Sequence, residues 1–72
     1  MTPDVVVDIG NTRMKWGVCR GGRLDEVFRL PLDDSAAWDA ALAKLPQSPV
    51  RKWAVASVNP PAASRFVAWS SN

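Results

Sequence analysis

The spacing of apolar and polar residues changes period along the chain, and each change predicts an element. Val5-Val6-Val7-Asp8-Ile9 is a β-branched run, apolar on both faces until Asp8. It is too short for a helix and predicts a buried central strand. Gly10-Asn11-Thr12 breaks the run, with Gly and Asn the residues most tolerant of a positive φ. From Arg13 to Arg20 the residues alternate, Met14, Trp16 and Val18 on one face and Arg13, Lys15, Gly17 and Cys19 on the other. That is the period of a half-buried strand. Gly21-Gly22 is a two-residue turn of the kind that closes hairpins. A third strand is expected over Arg23 to Leu30, with Leu24, Val27, Phe28 and Leu30 as its apolar content and Pro31 as its end. The chain should therefore open with three strands in antiparallel meander.

The period then lengthens. Asp33-Asp34-Ser35 predicts a helix cap, with negative charge where the helix dipole favours it. Trp38, Ala41, Leu42 and Leu45 follow at helical spacing, and Pro46 stops the helix. Gln47 to Pro49 predicts a turn, and Trp53 to Val58 a fourth short strand. Asn59 before Pro60-Pro61 starts a second helix, because proline is tolerated in the first helical turn. Ala63, Phe66 and Val67 are its expected inner face. The expected order is β-β-β-α-β-α around a mixed sheet. A strand should follow the second helix, so residues 1–72 read as a single, truncated half of a mixed α/β domain.

Composition narrows the way such a chain is held together. Its 72 residues carry one cysteine, Cys19, and no histidine. An internal disulfide, a Cys/His zinc site and a His-dependent nucleophile are all excluded. The apolar fraction is 47% and the charged fraction 22%, a globular balance. Four tryptophans and two phenylalanines supply large surfaces to bury; Trp16, Trp38 and Trp53 are expected in the core, with Trp69 off the inner face of its helix. The net charge of +2 is weak and dispersed, with no basic run longer than Arg51-Lys52, which argues against a nucleic-acid groove. There is no long apolar stretch, and Met1-Thr2-Pro3-Asp4 is not a charged-then-apolar leader. With an unpaired thiol, these features predict a cytoplasmic protein that neither spans a membrane nor is secreted. Asp25, Glu26 and Asp39 are expected as solvated surface charges.

Chemistry is expected at the break after the first strand. A tight turn there can aim several backbone N–H groups and the Thr12 hydroxyl at one point, an arrangement that binds anionic oxygens. Asp8 beside it would repel a bare phosphate but suits one carrying Mg²⁺, which takes one or two carboxylates and keeps its waters. Lys15, on the same face as Arg13, adds positive charge. The competing reading is a plain hairpin turn with Asp8 as a turn-forming residue. Ser57 likewise faces the cleft or is simply a small residue that permits close packing. Walker A and dinucleotide glycine patterns are absent.

The run Asp8-Ile9-Gly10-Asn11-Thr12-Arg13-Met14-Lys15-Trp16-Gly17-Val18 resembles the first phosphate-binding motif of type III pantothenate kinases. Val55-Ala56-Ser57-Val58-Asn59-Pro60 is similar to the Ala-Ser-Val-x-Pro segment of the same family, in the same order of elements. The resemblance covers the whole chain but only the first part of a typical member. It implies a ribonuclease H-like (actin-like ATPase) half-domain. It also implies transfer of the ATP γ-phosphoryl to pantothenate, the first step of coenzyme A synthesis, by a homodimer using Mg²⁺ and a monovalent cation, potassium or ammonium. Carried over to this sequence, Asp8 would position the metal–nucleotide. Gly10, Asn11 and Thr12 would cradle the phosphates, and Arg13 and Lys15 would flank them. The family's Gly-x-Asp-Arg segment, with the catalytic base and pantothenate contacts, and its second phosphate loop match nothing here and are expected beyond residue 72. These residues alone are therefore expected to be inactive. Another actin-like kinase or ATPase, or a non-catalytic regulatory module sharing the fold, are the alternatives.

Overall fold

The structure, a computed structural model, describes residues 3–45 and 51–71. The expected stop at Pro46, the turn over Gln47 to Pro49, and the first two and last residues lie outside these. The elements follow the expected order: β1 (Val5–Ile9), β2 (Arg13–Arg20), β3 (Arg23–Pro31), α1 (Ser35–Ala43), β4 (Trp53–Ser57) and α2 (Pro60–Ser70). One mixed sheet runs β3-β2-β1-β4; β1 pairs antiparallel with β2 and parallel with β4.

Gly21 and Gly22 both take positive φ, 57° and 78°. Two left-handed residues give the turn a twist that matches the flanking strands. Counting outward from this turn without interruption would set Trp16 against Val27 and send Arg29 to the core side. Instead the register slips between Val18 and Cys19, with Cys19 opposite Leu24 and Val18 opposite Glu26. The extra residue, Asp25, bulges out and is met by Arg20, Nε to Oδ2 2.8 Å. Because side chains alternate, a one-residue slip exchanges the faces of everything beyond it. Phe28 and Leu30 therefore line up with Trp16 and Met14 on the covered side, while Val27 turns outward.

Both helices lie on that covered side. Val5, Val7, Ile9, Met14, Trp16 and Val18 from the sheet meet Trp38, Ala41 and Leu45 from α1 and its exit, and Ala62 and Phe66 from α2. Aromatic rings fill the interface. Trp16 has Trp53, Phe66 and Trp69 around it at centroid distances of 5.2, 6.0 and 5.7 Å. Trp38 meets Phe66 and Trp69 at 5.8 and 5.6 Å. Without a disulfide or zinc, this cluster is what holds the layers together. Each edge-on pair adds about 0.5–1.5 kcal/mol beyond area burial. Two of the indole N–H groups find oxygen partners: Trp38 donates to the Pro31 carbonyl at 2.7 Å, and Trp69 to Asp39 at 2.9 Å.

Three expectations are corrected. β1 is central but covered on one face only: Val6 is 40% exposed on the side away from the helices. The inner face of α2 is Ala62 and Phe66 with half-buried Ala63 and Trp69, and Val67 is 53% exposed. The large rings of Phe66 and Trp69 turn the helix so that both reach Trp16, which rotates Val67 away. Asp39 is exposed but holds the Trp69 indole rather than standing free.

Candidate phosphate-binding site

Strands β1 and β4 run parallel side by side, so both exit at the same end of the sheet. In open α/β sheets, the carboxyl ends of parallel strands are where ligands gather. Here β1 exits into Gly10–Thr12, and β4 exits through Ser57-Val58-Asn59 into α2.

The first exit is a closed turn. The Gly10 N–H donates to the Arg13 carbonyl at 3.0 Å, and Ile9 pairs with Met14 below it. No residue of the turn has a positive φ. The glycine is there for clearance: a Cβ on Gly10 would sit 3.3 Å from the Arg13 oxygen. Asn11 and Thr12 form the exposed tip, and their backbone N–H groups have no partner among the described residues. The Gly10 amide is thus engaged within the turn, and the amides open to an anion are those of Asn11 and Thr12.

Asp8 pairs directly with Lys15 across β1 and β2, and both are exposed on the face away from the helices. Arg13 lies two residues before Lys15 on the same face. The predicted residues are therefore gathered at one place: a carboxylate, two open amides, a hydroxyl and two cations. Among the described residues no group of three or more His, Cys, Asp or Glu is placed to hold a metal by itself. A single exposed carboxylate fits Mg²⁺ that arrives with phosphate oxygens and waters completing its shell.

Sequence reading missed three residues. Arg29 stands opposite Lys15 on β3, in one row with Asp8; only the bulge at Asp25 puts it there. Asp4 secures the far end of the sheet, its carboxylate accepting the Lys52 N–H at 2.8 Å and its carbonyl the Cys19 N–H at 2.8 Å. Asn59, expected only as a helix start, also donates from Nδ2 to the Gly10 carbonyl at 3.3 Å. Ser57 does not reach the turn: its hydroxyl bonds the Asn59 backbone, accepting from N–H at 2.8 Å and donating to the carbonyl at 3.0 Å.

Two hollows of the surface lie away from the turn. One of about 130 Å³ sits at the opposite end of β1 among Asp4, Val5, Val18, Cys19, Arg20, Leu45 and Arg51. Another of about 460 Å³ lies over Trp53 and Trp69. Asn11 and Thr12 make an exposed rim, and a bound anion would be met by amides and charges from one side.

No helix among the described residues is long and apolar enough to cross a membrane. Neither a search of curated proteins nor one of solved structures returned a match. The family comparison did: the sequence model of type III pantothenate kinase matches residues 5–72, from the first residue of β1 through the turn, its cross-strand cations and the Ser57–Asn59 exit, and with that span the chain belongs to the type III pantothenate kinase family.

Proposed function

We propose that this chain supplies the ATP-phosphate side of a kinase that transfers the γ-phosphoryl of ATP to pantothenate. The observation that carries the reading is the placement of Asp8 beside the open amides of Asn11 and Thr12, at the shared exit of two parallel strands. Phosphoryl transfer needs alignment and charge neutralisation more than covalent participation by the protein. In this reading the Asn11 and Thr12 N–H groups and the Thr12 hydroxyl hold phosphate oxygens, with Gly10 giving the turn its clearance. Lys15 and Arg13 flank them and offset their charge. Asp8 receives the Mg²⁺ that accompanies the nucleotide; when bound, that ion neutralises and orients the phosphates. A monovalent cation, potassium or ammonium, belongs to the same reading, and no residue here is assigned to it.

The topology supports a ribonuclease H-like, actin-like half-domain in which residues 1–72 are one incomplete unit. The rim-like site fits that reading, because a nucleotide held by one wall needs a second. The general base for the pantothenate hydroxyl belongs to that second side, since Asp8 is committed to the metal. We place the intact enzyme in the cytoplasm as a homodimer, and we expect residues 1–72 alone to transfer no phosphate.

Titration with Mg-ATP, followed by amide resonances, tests the reading. Shifts concentrated at Gly10 to Thr12 are expected; an unmoved turn under saturating nucleotide would sink it. A panel of acceptors assayed with the longer protein separates pantothenate from other hydroxyl acceptors. Nucleotide binding without transfer to any acceptor would favour a regulatory module.

A further inference from the structure

We propose that Asn59 is a positioning residue for the phosphate turn, setting the direction of the Asn11 N–H by holding the Gly10 carbonyl. The proposal rests on the phosphate-binding reading of that turn. A peptide unit is planar and trans, so the carbonyl of Gly10 and the N–H of Asn11 point in opposite directions from one rigid plane. Whatever holds the first aims the second.

Gly10 is held through both of its peptide units, the one before it and the one it shares with Asn11. The Gly10 N–H is tied to Arg13 within the turn, and the Gly10 carbonyl accepts from Asn59 Nδ2 at 3.3 Å. Asn59 is itself anchored. Its Oδ1 accepts the Ala62 N–H at 3.3 Å as the cap of α2, which settles which end of the amide is the donor. Its backbone N–H donates to Ser57 Oγ at 2.8 Å, and its carbonyl accepts the Ala63 N–H at 3.0 Å. Beside it, the Val58 N–H donates to the Ile9 carbonyl at 3.2 Å. Two successive carbonyls leaving β1 are thus gripped by two successive residues leaving β4.

Capping alone does not require asparagine. Serine and aspartate cap as well, but ionised aspartate has no donor and serine only a hydroxyl with a shorter reach than Nδ2. That difference makes the role separable. In the full-length enzyme, Asn59→Ser keeps a cap for Ala62, adds no charge and removes Nδ2, leaving a hydroxyl on a side chain one atom shorter. The melting temperature should stay within a few degrees. The backbone order parameter of Asn11 should fall, and KM for ATP should rise about fivefold with KM for pantothenate unchanged, as expected for one lost neutral hydrogen bond. Asn59→Asp, which caps well but also lacks the donor, should lower the Asn11 order parameter likewise.

An unchanged order parameter in both variants overturns the proposal. So does a fallen order parameter with unaltered KM for ATP, and Thr12→Ala then locates the failure. If Thr12→Ala raises KM for ATP, the turn binds phosphate and only the role of Asn59 is refuted. If Thr12→Ala is silent too, the phosphate-binding reading fails and takes the proposal with it.

Discussion

Asp8 and Lys15 face each other across the β1–β2 ladder, on the sheet surface that the helices leave open. Cross-strand partners of opposite charge sit close enough to interact, yet no ion pair joins these two within 4.0 Å among the described residues. Both remain available to a third party. Asp8→Asn in the intact enzyme should lower kcat on the order of 10²-fold, the scale of a lost metal-positioning carboxylate. Its stability should change by no more than about 0.5 kcal/mol, because the side chain is exposed. Steady-state kinetics with a parallel denaturation curve checks both, and wild-type turnover in this variant would refute the metal role.

Phe66 is 1% exposed and touches Trp16, Trp38, Trp53 and Trp69. It and Trp69 join α2 to both the sheet and α1, and Phe66 is the more deeply buried of the two. Phe66→Ala should cost about 3–5 kcal/mol through lost burial and the cavity left behind, measured by urea denaturation. A loss below about 1 kcal/mol would mean that the aromatic cluster does not carry the fold.

The Gly21-Gly22 turn separates space from torsion. A Cβ at either position would meet nothing within 4 Å, so only the positive φ resists substitution. Gly21→Asn should be neutral or slightly stabilising, since asparagine accepts this conformation and restricts the unfolded chain. Gly22→Val should cost about 1–2 kcal/mol. Thermal melts of the two variants should diverge; equal values would indicate that the turn adopts another geometry.

Asp25 is the extra residue of the bulge. Deleting it leaves Leu24 and Glu26 adjacent, opposite Cys19 and Val18 as they already stand. The register beyond is preserved, and the exposed ion pair that is lost contributes about 0–1 kcal/mol. The deletion should therefore melt within a few degrees of the parent. A collapse of stability would show that the bulge sustains something besides register.

The elements were legible because each is short and has one period. Val5–Ile9, the alternation of Arg13–Arg20 and the cap at Asp34 all lie where local pattern places them. What escaped the pattern depends on distant partners. A run of valines reads the same whether a sheet face is covered or open, so Val6 was misplaced. Helical spacing admits Val67 as readily as Ala62, and Trp16 decides between them from another element. The charged row Asp8–Lys15–Arg29 appears only once the slip at Val18 is known. The turn itself was found from its residue types, but the capture of Gly10 by Asn59 joins residues far apart in sequence and leaves no local trace.

The pairing of β1 with one neighbouring strand by a tight turn, and with another by a long crossover, separates the two in time. A hairpin closes over a short loop, while β4 must return across α1, and contacts of greater sequence separation form more slowly. The proposed nucleotide grip should then assemble in two stages, its outline first and its latch last. In refolding experiments, ATP affinity should mature with the slow docking phase rather than with the early appearance of strand structure; simultaneous recovery would argue that the latch is dispensable.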